Sequence, residues 1–122
     1  KRAVFEYVKR CFEVLDSMNV NDEVYHYVSE TLKWMDVAKC GNKADRKRWI
    51  KAGYNLKVHN LGSASIYKEY ESDEKVYTLI KTHGLIGQHI QGEVNLKNSQ
   101  DLVGLFPSPL LKEILIVLNN AF

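Results

Sequence analysis

An all-α domain, a compact bundle of about six helices, is what the amino-acid sequence predicts, and three observations carry it. Apolar residues recur at three- and four-residue spacing through most of the chain, the period of a helix with one buried face. Helix-start signals stand at the right places: Asn21, Ser72 and the pair Ser108-Pro109. No alternating apolar and polar run is long enough to specify a strand.

The elements follow in order. Val4, Val8, Cys11, Phe12, Leu15 and Met18 form one stripe, with Glu6, Lys9, Arg10, Glu13 and Asp16 mostly on other faces, so the first helix is amphipathic. Asn21 caps the second, and Asp22 and Glu23 suit the positive end of its dipole. Its stripe, Val24, Tyr27, Val28, Leu32 and Met35, runs out before Gly41-Asn42, and the short connection makes the two helices antiparallel neighbours. Lys43 to Lys51 reads as a short basic helix carrying Trp49 and Ile50, and Leu56 to Tyr70 as a fourth helix. In the fourth, Gly62, Ser63 and Ala64 let another backbone come close. Ser72 caps a fifth helix with Val76, Leu79, Ile80 and His83 on one face; Gly84 and Gly87 either end it near His83 or bend it on toward Val94. Residues 98–104 connect, with a short helical turn. Proline at its first position starts the last helix. There, Leu110, Leu111, Ile114, Leu115, Ile116, Val117 and Leu118 clothe nearly the whole circumference, so this helix is either central or covered by a partner.

A chain of 122 residues is long enough for one domain with a real core. At 45% hydrophobic and 26% charged it is ordinary globular material, and a net charge of +2 does not by itself demand a polyanion. The apolar run near Leu110 to Leu118 is far short of the roughly 20 residues that span a bilayer. Cys11 and Cys40 form neither a zinc spacing nor a disulfide framework, which points to a reducing, cytoplasmic setting. The chain starts at Lys1 and stops at Phe122 beside a strongly apolar helix, so residues 1–122 read as a single helical domain cut from a longer chain.

Three of the four histidines fall in two phrases of small and apolar residues, Val58 to Tyr67 and Leu79 to His89. Imidazole is the commonest divalent-metal ligand, and ligands on neighbouring helices can converge on one ion. His59-Asn60-Leu61-Gly62-Ser63-Ala64 resembles the first helix of the HD-domain superfamily, helical metal-dependent phosphohydrolases in which a histidine opens a His-x-x-x-small-Ala phrase. Leu79-Ile80-Lys81-Thr82-His83-Gly84-Leu85-Ile86-Gly87 resembles that family's phrase of an apolar helix followed by His-Asp. The resemblance implies His59 and His83 as metal ligands, for Mn, Fe or Zn. Gly84 stands where the family has aspartate, and a divalent ion wants anionic oxygen as well as imidazole. The implied centre is therefore degenerate, or a remote carboxylate completes it: Asp36, Glu93 or Asp101. The alternative for both histidines is a core role, their ring nitrogens bonded to backbone. His89 and Glu93 are four apart, so on a continuing helix they share a face, either as a surface pair or as outer support for a ligand. His26 reads as a partly exposed helix residue.

Gly84 to Gly87 lacks the strand, lysine and hydroxyl of a phosphate loop, Ser63 and Ser65 lack an elbow, and neither cysteine has the surroundings of an activated thiol. Lys39, Lys43, Arg46, Lys47, Arg48, Lys51 and Lys57 gather around Trp49 and Tyr54. They form either a solvated face with Trp49 and Ile50 turned inward, or a phosphate-binding surface in which Arg46, Lys47, Arg48 and Lys51 contact nucleic acid. Glu69 to Glu74 is acidic, and pairing between the two regions accounts for both without nucleic acid.

Three functions follow as expectations. The first is a degenerate HD-like domain that serves as a binding or regulatory module, with no metal or a weak one, and with a protein partner or second copy on helix 109–122. The second is an active metal-dependent phosphohydrolase acting on a nucleotide or phosphodiester. The third is a nucleic-acid-binding helical domain built on residues 43–51.

Overall fold

The computed structural model describes residues 2–86 and 100–122, whose regular elements are all helices, with no strand among them. In chain order they form α1 (Arg2–Ser17), α2 (Asp22–Trp34), a 3₁₀ turn (Val37–Lys39), α3 (Lys43–Lys51), α4 (His59–Tyr70), α5 (Glu74–Ile86), α6 (Gln100–Val103) and α7 (Ser108–Ala121). The main core is the stripe of α1 (Cys11, Leu15) and of α2 (Val24, Val28, Leu32, Met35) closed over α7, with Leu79, Leu102 and Phe106 at one side. Helix α7 is central. Leu111, Ile114, Leu115, Val117, Leu118 and Ala121 are buried, and Ile116 is 37% exposed. The apolar surface that the sequence leaves for a partner is thus largely covered by the chain itself.

Two smaller clusters position the site. Ala64 and Tyr67 of α4 meet Val76 and Ile80 of α5, with Tyr27 and Trp34 of α2 against them. Ala38, Trp49 and Ile66 join the 3₁₀ turn, α3 and α4. Close approach makes the second contact. A Cβ on Gly62 would lie 2.5 Å from the Asn55 carbonyl oxygen and 3.2 Å from Ala38 Cβ, so any side chain there displaces the Asn55 backbone and crowds the 3₁₀ turn. Ser63 Oγ beside it accepts the Ala38 N–H at 3.0 Å. The sequence expectation of a small-residue approach surface at Gly62-Ser63-Ala64 holds.

Local chemistry sets the boundaries. Asn21 accepts the Val24 N–H, and Asn42 with Asp45 forms a reciprocal capping box for α3. Gly41, at φ +89°, supplies the left-handed residue before that box, where a Cβ would strike the Trp49 ring at 2.7 Å. Three expectations are corrected. Helix α4 starts at His59, not Leu56, because Asn55 Oδ1 takes the Lys57 and Val58 N–H groups and holds that segment as a turn. The cap of α5 is Asp73, whose Oδ1 accepts from Lys75 and Val76, and not Ser72. Trp49 is buried but Ile50 is 63% exposed, so they do not turn inward together.

Candidate metal centre

The α2 stripe ends with Met35, and the next residue, Asp36, is turned into the fold by the 3₁₀ turn that follows; its side chain is only 6% exposed. His59 opens α4 and His83 lies in the last turn of α5. These two helices are packed on Ala64, Tyr67, Val76 and Ile80 and tied by Asn60 Nδ2, which donates to the Lys81 carbonyl at 2.6 Å. That registration brings two histidines 24 residues apart to an Nε2···Nε2 distance of 3.1 Å. Asp36 Oδ1 is 3.2 Å from His59 Nε2 and 3.9 Å from His83 Nε2.

Proton positions follow from the partners. A carbonyl can only accept, so His83 Nδ1–H donates to Ile80 O at 2.5 Å, and His83 Nε2 carries the lone pair toward Asp36 and His59. This is the arrangement in which a backbone carbonyl fixes tautomer and ring angle for a ligand histidine. Three acceptor-capable atoms then converge with at most one hydrogen, that of His59 Nε2, to share among them. The set fits a divalent ion. Bonds of about 2.1 Å imply ligand-to-ligand distances of about 3.0–3.4 Å, and two of the three observed spacings fall there while the third needs a shift of about half an ångström. Asp36, His59 and His83 are a group that could hold an ion among the described residues, their ligand atoms all within 4.8 Å of one another.

Burial dominates the electrostatics. Desolvation pushes the His83 pKa below its ordinary value, opposed by the hydrogen bond to Ile80. Desolvation also lowers that of His59, aided by the Lys39 ammonium. Both shifts favour the neutral ring, the form a metal requires. Lys39 Nζ lies 3.5 Å from Asp36 Oδ1 on a side chain 42% exposed. The group opens into a cavity of about 300 Å³ lined by Tyr7, Met35, Asp36, Lys39, His59, His83, Gly84 and Phe122.

Of the three carboxylates considered from the sequence, Asp36 meets the histidines. Asp101 lies exposed on α6, in a separate depression with Glu74, Tyr77 and Lys81. Glu93 and His89 lie outside the described residues. Gly84 sits within α5 and lines the cavity, so the helix does not end at His83. His26 is exposed on α2. On α3, Arg46 donates to the Ala38 carbonyl at 2.9 Å and Arg48 to Glu69 at 2.9 Å, while Lys47 and Lys51 are exposed. Two of the four cations offered for nucleic acid thus have partners inside the fold.

No protein-family model, no curated protein and no solved structure matches the chain. Function therefore rests on the site.

Proposed function

We propose that Asp36, His59 and His83 hold one divalent metal ion, and that the protein is a metal-dependent hydrolase of phosphate esters. The observation that carries the proposal is the burial of a carboxylate between two imidazoles whose ligand atoms face one point. Three protein ligands leave open positions, the mark of a catalytic rather than a structural site. A bound ion there supplies Lewis-acid polarisation of a phosphoryl oxygen and acidifies water.

The chain's own residues supply the rest. Ile80 O orients His83 through Nδ1–H, and Asn60 holds α4 against α5 so that His59 keeps its place. The exposed stem of Lys39 lets its ammonium turn from Asp36 toward an anionic oxygen in the cavity. Met35 and Phe122 wall off water on the apolar side.

In the HD-domain resemblance, His83-Gly84 stands where the family has its His-Asp doublet, so Gly84 offers no carboxylate there. That substitution takes one ligand away, which favours a second reading: a centre that binds metal or ligand as a regulatory module without turnover.

The test is hydrolysis of a panel of nucleotides and phosphodiesters with manganese, read as inorganic phosphate released from monoesters and anhydrides and as monoester formed from diesters. Metal-dependent turnover, abolished by chelator and lowered at least about a hundredfold in Asp36→Asn and His83→Ala, supports hydrolysis. Retained metal with no turnover of any ester leaves the regulatory module, and absence of both rejects the centre.

A further inference from the structure

The metal group uses only part of its cavity. A volume of about 300 Å³ is roughly ten waters at about 30 Å³ each, more than an ion and one phosphate group need. It is also at the low end of ligand pockets, too small to bury more than a compact molecule. The remaining wall is not polar. Tyr7 from α1, Met35 from the end of α2 and Phe122 after α7 border it, and Gly84 adds no side chain.

The aromatic walls are placed for contact. Phe122 is half-buried, and its ring meets that of His83 edge-on at 6.3 Å and 68°. Tyr7 is also half-buried, and burial together with the adjacent Cys11 thiol pushes its pKa up to about 12, so its hydroxyl remains a donor. Tyr7 and Asp36 line the same cavity. Rings and a thioether favour flat, polarisable surfaces through stacking and sulfur contacts.

Resting on the metal-centre reading above, we propose that this cavity takes a compact phosphoryl compound bearing a planar apolar group, its anionic end at Lys39 and the metal group and its planar end against Tyr7 and Phe122. Tyr7 and Phe122 are specificity-determining residues. They select the organic part of the ligand, whereas Asp36, His59 and His83 hold the ion.

Two phosphonates that resist hydrolysis separate these roles: phenylphosphonate and 3-hydroxypropylphosphonate. Both are titrated calorimetrically into the full chain in manganese, with metal content measured on the same samples. The expected result is a preference for phenylphosphonate of about tenfold. Phe122→Leu and Tyr7→Leu should reduce it to about threefold or less with metal content unchanged, and Tyr7→Phe should keep it. Equal affinities on a metal-loaded wild type overturn this proposal and leave the centre standing. Equal affinities with no metal bound overturn both. A preference that survives both leucine variants removes Tyr7 and Phe122 as its source and also overturns the proposal.

Discussion

The corner that holds Asp36, His59 and His83 and the basic face of α3 lie on adjoining stretches of chain, yet they treat charge in opposite ways. In the corner, groups remote in sequence are buried against one another, and burial favours the neutral form of both histidines. On α3, cations close in sequence are dispersed: Arg46 goes to the Ala38 and Cys40 carbonyls, Arg48 to Glu69, and Lys43, Lys47 and Lys51 to solvent. Proximity along the chain therefore says little about convergence; close packing of the 3₁₀ turn and α5 on α4 says a great deal. One member of the basic face does serve the corner, since Arg46 holds the carbonyl of Ala38 two residues beyond Asp36.

The sharpest way to break the comparison is at Gly62. Gly62→Val should cost about 3 kcal/mol in chemical denaturation, because the new side chain meets the Asn55 carbonyl and Ala38. Metal retention should fall with it, although residue 62 is no ligand. Next comes a contrast within α3. Arg46→Met should destabilise by about 1.5 kcal/mol through loss of a charged donor to a partly buried carbonyl, while Lys47→Met should change stability by less than about 0.5 kcal/mol. Equal effects would show the basic face to be one unit rather than two kinds of residue.

The smallest effect concerns pH. Burial lowers the His83 pKa from its ordinary 6.5, so the unfolded chain binds this proton more readily than the folded one. Its contribution to stability is full above pH 6.5 and is lost as pH falls toward the lowered folded value. His59 is shifted the same way, by its own burial first. The melting temperature of the metal-free protein should drop between pH 7 and pH 5, and drop less in His83→Gln. A variant that tracks the wild type would show that His83 is not carrying the dependence.

Much of the fold was legible in residue patterns, for reasons that particular elements show. The stripes of α1 and α2 and the cap at Asn21 are local and strong, and each is found where expected. Helix α7 was ambiguous because a stripe all round its circumference suits a central helix and an interface equally, and only packing decides. The start of α4 departs from the apolar pattern because the side chain of Asn55 competes with the helix for backbone donors. At the site, His59 and His83 stood out as imidazoles among small and apolar residues. Asp36 was one of three carboxylates on offer. Nothing local separates an aspartate ending an apolar helix from an exposed one such as Asp101; the difference arises when the 3₁₀ turn docks on Gly62 and Ser63.

The central claim is that three remote residues form one ion site, and metal content tests it most directly. The protein is incubated with manganese or zinc, desalted and analysed beside Asp36→Ala, His59→Ala and His83→Ala, with folding of each variant checked by circular dichroism. The account predicts about one ion per wild-type chain, lost in all three folded variants. A wild type that retains no ion, or an Asp36→Ala protein that retains it fully, would contradict it.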